Sequence, residues 1–207
     1  MVDCRVRRRL LALSAGAALV LSTPAFSNEQ RQAAFAATGG KSLPPVGWTQ
    51  FCSDNPSDCR TGTMPAVNVV LDAALWRQMV KINGAVNRDI DPVTDEEQWG
   101  SVERWSYPTT GKGDCEDYVL EKRARLVKAG WPLQALLITV VRDKKGDGHA
   151  ILTVRTDRGD FVLDNQNPKI LTWTKTGYQY IKRQAQDDQN RWVSLGGVDT
   201  GLMTANQ

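Results

Sequence analysis

No apolar run in this 207-residue chain is long enough to cross a bilayer. The longest, Leu10 to Leu21, falls short of the roughly 20 residues that a spanning helix needs. Internal repeats and low-complexity tracts are absent, which excludes a repeat architecture. Histidine is nearly missing: His149 is the single example, so the chain offers one candidate imidazole base. A charge excess is missing too once residues 1–27 are set aside. They hold four of the 26 basic residues and one of the 23 acidic ones, which leaves the remainder formally neutral. Neither nucleic acid nor an anionic membrane is expected as a partner.

Residues 1–27 have the form of a signal peptide. Arg5, Arg7, Arg8 and Arg9 precede the apolar run, and Ala25-Phe26-Ser27 supplies small residues at a cleavage-site spacing. Cys4 lies ahead of the run, whereas a lipoprotein cysteine would follow it. The expectation is an unanchored, exported, periplasmic protein of roughly 180 residues, enough for one domain with a core of its own.

Export bears directly on the cysteines. Without Cys4 three remain, an odd number for an oxidising compartment. Cys52 and Cys59 flank the turn-rich SDNPSD and are expected to form a short disulfide staple. That staple belongs to residues 28–64, which are rich in Gly, Pro, Ser and Thr, show no sustained period, and are expected to be extended. Cys115 is left over. A free cysteine is as often a small buried hydrophobe as a reactive group, so its setting must decide.

The setting is GKGDCEDY. Gly113-Asp114 offers a flexible approach and an N-cap, and CEDYVLEKRARLVKA then runs without a breaker to Gly130, with Pro132 beyond. These signals predict a helix that starts at Cys115, with Val119 and Leu126 on the same face. Upstream, Val67, Val70, Leu71, Ala74 and Leu75 predict a helix after Pro65, ended or interrupted at Asn83-Gly84. Thr94 and Glu97 form a capping box for a second, short helix.

Downstream the pattern changes to strands at Ala135 to Val141, His149 to Arg155 and Phe161 to Asp164, with RDKKGDG and TDRG as the turns. Another strand is expected within WTKTGYQYIKRQ, and the last ten residues are expected to fray. The RDKKGDG loop has Lys145 and Val154 where a calcium loop would need ligands, so it reads as a plain hairpin loop.

A nucleophilic cysteine needs a base within hydrogen-bond reach and a third group to orient that base. His149 opens a strand just after a glycine, where its ring can project from the sheet end; a lone histidine is, however, more often structural. Asp164 closes an apolar Phe-Val-Leu run. It either bonds its own turn or pairs with His149 and fixes the tautomer. Direct opposition of these two residues would centre the hairpin between Thr156 and Asp157, a residue or two earlier than Asp157-Arg158-Gly159 suggests. A bulge at Gly159 or a diagonal contact would absorb the difference.

The acids around Cys115 also have two readings. Carboxylates alone raise a thiol's pKa, whereas a helix N-terminus and an imidazolium lower it. Asp114 and Asp117 suit first-turn capping, while Asp114 and Glu116 suit a hard cation such as calcium. Spacing alone favours capping, because two carboxylates do not fill a site of six to eight oxygens.

Taken in order, GKGDCEDYVLEKRARLVKAGWP, GDGHAIL and GDFVLDN resemble the bacterial transglutaminase-like cysteine peptidases, across residues 67–185 and including VNRDIDP. The resemblance implies an α+β fold over residues 65–200: a papain-like transglutaminase core with N-terminal helices packed on an antiparallel β-sheet. It implies Cys115 as nucleophile, His149 as general base and then acid, and Asp164 as the orienting partner. It also implies a Ca2+ site that includes Asp114, Glu116 and Asp117, which displaces the capping reading. A protein substrate follows, with a large surface adhesin as one possibility and an inner-membrane cyclic-di-GMP receptor as regulator. Acyl transfer to an amine, and a non-catalytic calcium-binding module, are the alternatives.

Overall fold

The computed structural model describes residues 34–59 and 62–196, so the signal peptide expected at 1–27 and the end of the chain lie outside the described residues. Its centre is a hairpin of β4 (Leu136–Arg142) and β5 (Gly148–Thr156). β6 (Gly159–Leu163) and β7 (Leu171–Thr172) extend one side; β8 (Gln179–Gln184), β9 (Trp192–Ser194) and β1 (Lys41–Ser42) extend the other. Every pairing in this seven-stranded sheet is antiparallel. A separate parallel pair joins β2 (Asp91–Pro92) to β3 (Lys112–Gly113).

The sequence LLITVVR makes β4 a strand because it is a continuous branched apolar run, and both of its faces are buried. Leu136, Ile138 and Val140 look into the larger core; Val141 joins Ile151, Val162, Tyr180, Leu195 and Ala36 on the opposite face. The helix over Cys115–Lys128, here α5, lies between the sheet and the helix over Ala73–Asp89, here α3. The helices are numbered after α1 (Val46–Asp54) and α2 (Pro56–Cys59), with α4 at Asp95–Trp99. Val119, Leu120 and Leu126 of α5 pack on the sheet, while Tyr118 packs on Val86 and Ile90 beside α3. Truncating the fully buried Leu126 to alanine would cost about 2–5 kcal/mol, enough to endanger the fold.

Two expectations need correction. The helix after Pro65 begins only at Ala73, capped by Asp72, whose Oδ1 accepts from Leu75 N at 2.7 Å. Residues before it are drawn out because Val69 bonds the hairpin: Val69 N donates to Arg155 O at 3.0 Å and Asp157 N to Val69 O at 2.8 Å. The helix then runs through Asn83-Gly84 unbroken to Asp89. The supposedly extended 28–64 stretch is helical in α1 and α2, and it contributes Trp48 and Phe51 to the larger core. The disulfide expected between Cys52 and Cys59 is present, with the two Cα atoms 5.5 Å apart. Among the described residues, no helix is long and apolar enough to cross a membrane.

Candidate active site

Cys115 is the first residue of α5, reached through the short β2–β3 pair. Gly113 is required on this approach, because a Cβ there would lie 2.5 Å from Asp117 Oδ2. The sulfur faces the β5 edge, where Ala150 N donates to Cys115 Sγ at 3.3 Å. Helix start and strand start therefore meet at the thiol, and the strand residue next to Ala150 is His149.

His149 Nε2 lies 2.9 Å from Asp164 Oδ1, and both residues are almost wholly buried. The β5–β6 register pairs Leu152 with Leu163 and Thr156 with Gly159, without a bulge. Extended by three residues, that register sets Gln166, not Asp164, opposite His149, so the histidine and aspartate meet diagonally. Gln166 is there too: its Nε2 lies 3.5 Å from His149 Nδ1, and its amide donates to Asp164 Oδ1 at 2.9 Å. Tyr178 Oη donates to Asp164 Oδ2 at 2.6 Å, and its ring meets the imidazole edge-on with centroids 5.7 Å apart. Asn87 of α3 holds the backbone carbonyl of Asp164 at 2.8 Å. Burial opposes the Asp164 charge, but His149, Tyr178 and the Gln166 amide outweigh it and hold its carboxyl below the usual range.

The acids beside the cysteine are arranged differently from helix caps. Asp114 occupies the N-cap position, yet its side chain accepts no capping hydrogen bond. Asp117 turns away from the helix amides, and its Oδ1 accepts from Ser106 N at 2.8 Å. Asp114 and Glu116 instead converge with Asp95 of α4, each offering an oxygen within 4.8 Å of the others. Asp114 Oδ1 and Glu116 Oε1 are buried without a hydrogen-bond partner, which is the donor set and the deficiency that a hard oxygen-seeking cation would answer. Asp117 stands outside this trio.

Burial first, and then neighbouring charge, pushes these carboxyls up: Asp114 to about 6, Asp117 to about 8, and Glu116 well above its usual range. Burial also pushes up the Cys115 thiol, helped by the charges of Glu116 and Asp114. Its Sγ–H donates to Glu116 Oε2 at 3.1 Å.

A helix-borne cysteine set against an antiparallel sheet that carries a paired histidine and aspartate is the arrangement of a transglutaminase-like cysteine peptidase. The family model for the bacterial transglutaminase-like cysteine proteinases, BTLCP, matches residues 38–200, and the chain belongs to that family. Calcium-bound LapG of Legionella pneumophila is similar to this chain at a TM-score of 0.51 and 23% identity, over 62% of this chain and 75% of that one. EGTA-treated LapG aligns at a TM-score of 0.46 and 25% identity, over 52% and 62% of the two chains. The first likeness shows a shared transglutaminase-like fold. Among curated proteins none matches.

Proposed function

We propose that the chain is a calcium-dependent periplasmic cysteine endopeptidase with Cys115, His149 and Asp164 as its triad. One observation carries this reading: the only imidazole is held by Asp164 through Nε2, while the amide of the next residue touches the Cys115 sulfur. That leaves Nδ1 as the ring atom to exchange a proton with the thiol. His149 takes the thiol proton as Sγ attacks a peptide carbonyl, then gives it to the departing amine to leave an acyl-enzyme. Water attacks the thioester next, with His149 again the base, and Cys115 is regenerated. The Cys115 amide, at the open end of α5, is suited to meet the oxyanion.

Asp95, Asp114 and Glu116 would hold calcium, and Asp117 would fix the neighbouring loop through Ser106. The ion's charge would offset the carboxylates that keep the thiol protonated. Support comes from the two orphaned oxygens and from the calcium-bound state of the similar LapG structure. The leader-like residues 1–27 support a periplasmic location. The substrate is a surface or periplasmic protein; by family resemblance a large surface adhesin is one candidate for it and an inner-membrane receptor a candidate regulator.

The test compares proteins released from the cell surface by strains with the native enzyme, Cys115→Ala or His149→Ala. Both variants should fold and release nothing, and the released fragment would identify the cut site. Retained cleavage in either would overturn the triad. Incorporation of a labelled amine into a glutamine donor, without peptide cleavage, would make the protein an acyltransferase instead.

A further inference from the structure

The face of the sheet turned away from α5 carries a second concentration of charge. Arg155 alternates with Val154, which faces the helix side, so it projects to the other side with Ile151. Beside it Arg183 is 2% exposed, and both stand over the wholly buried Asp160. Arg183 Nη1 donates to Asp160 Oδ2 at 3.0 Å, and Arg155 Nε lies 3.2 Å from Asp160 Oδ1 without hydrogen-bond alignment. Asp160 Oδ2 also accepts from Ala36 N at 3.0 Å. One carboxylate thus serves two guanidinium groups.

Above them is a cavity of about 200 Å³, lined by Arg155, Arg183 and, towards the rim, Arg191 with its partner Asp187. Three guanidinium groups therefore meet two carboxylates. Arg183 Nε is buried without an acceptor and Arg155 Nε reaches only the poorly aligned Asp160 Oδ1, a costly state for two charged groups beside a cavity. A guanidinium offers a planar fork of donors that matches an oxyanion.

We propose that this cavity binds an oxyanion, the phosphate or carboxylate group of a small molecule, between Arg155, Arg183 and Arg191. The ligand supplies the missing negative charge and accepts from the guanidinium groups that line the cavity. The site is separate from the peptidase chemistry, because Arg155 stands at the far end of β5 from His149, about 20 Å along the strand.

Thermal melts in calcium-free buffer test it, with inorganic phosphate or succinate compared with chloride at matched ionic strength. Binding should raise the melting temperature saturably; at ten times Kd the folded-to-unfolded ratio rises about elevenfold. Calorimetric titration with the same anions gives Kd directly. Arg183→Gln should abolish the effect, and Arg191→Gln, at the half-exposed rim, should weaken it without threatening the fold. A response to phosphate alone assigns a phosphate-bearing ligand, and a response to succinate alone assigns a carboxylate. A shift no larger than chloride's overturns the proposal. So does an equal shift in wild type and both variants, because excluded-ion stabilisation needs no site.

Discussion

Asp164 Oδ1 and His149 Nε2 stand 2.9 Å apart although the hairpin register sets Gln166 across from the histidine. The diagonal contact works because the chain turns immediately after β6, and the Gln166 amide and Tyr178 hydroxyl close around the carboxylate. Asp164 is thus anchored from three sides before any substrate arrives. Asp164→Asn keeps the shape but reverses one donor, so the imidazole is no longer held in the required tautomer. A fall of about 10²–10⁴-fold in kcat/KM is expected. The Asp164 carboxyl is held below its usual range, so the native state gains stability from it above the ordinary carboxylate pKa and loses that gain as the pH falls through the depressed value. Denaturant melts should show the variant less stable near neutrality, with the gap closing below about pH 4.

Tyr178 is the cleaner probe of positioning, since its hydroxyl touches Asp164 and not the thiol. Tyr178→Phe keeps the ring against His149 and removes one charge-assisted hydrogen bond, worth about 1.5–3 kcal/mol. The expected result is a kcat reduced about tenfold or somewhat more with KM little changed. An unchanged kcat would show that Gln166 and His149 suffice to hold the carboxylate.

Much of this was legible before the fold was known, for reasons that differ between residues. The helix at Cys115 has a clear start and stop, and β4 to β6 alternate with strong turn signals, so both are local facts. The contact of His149 with Asp164 was legible only as a possibility, because a diagonal pair depends on register. Asp95 was missed: it lies far from Asp114 in the chain, and the one available signal was an acidic first turn after Thr94, which any helix start would explain. Val67 to Leu71 have helical spacing yet are extended, because bonding to the β5–β6 turn outweighs local propensity. Residues 46–59 looked irregular because of Gly47, Pro56 and the turn-rich SDNPSD, while Trp48 and Phe51 gain their importance only from the core they enter.

The crowded acids predict an unusual pH response. Asp114 is pushed up to about 6 and Asp117 to about 8, so between about pH 4 and pH 6 the native state binds more protons than the unfolded chain. Stability in a chelator should therefore fall as the pH rises through that window. Calcium needs the ionised carboxylates, so it should reverse the trend, and its affinity should drop as the pH falls below about 6. At 100 times Kd the ion should stabilise the fold by about 2.7 kcal/mol. Asp95→Asn should lose most of that gain in melts and in calorimetric titration. Equal melting temperatures with calcium and with chelator would return these acids to a purely structural role.

Lys122 gives the opposite pH dependence, from the middle of the same helix. Its side chain is wholly buried, and Nζ has no hydrogen-bond acceptor among the described residues, standing 5.8 Å over the Tyr118 ring. Burial lowers its pKa to about 7 even though the charge of Asp164 works to raise it. Between about pH 7 and pH 10 the unfolded chain then binds more protons, so this group makes stability rise with pH. Lys122→Met keeps the length of the side chain and removes the amine. It should add about 1–3 kcal/mol at neutral pH and abolish the rise above pH 7, as read by urea melts across that range. A variant less stable than wild type at pH 7 would mean that the ammonium group, through its attraction to Asp164, contributes more than its burial costs.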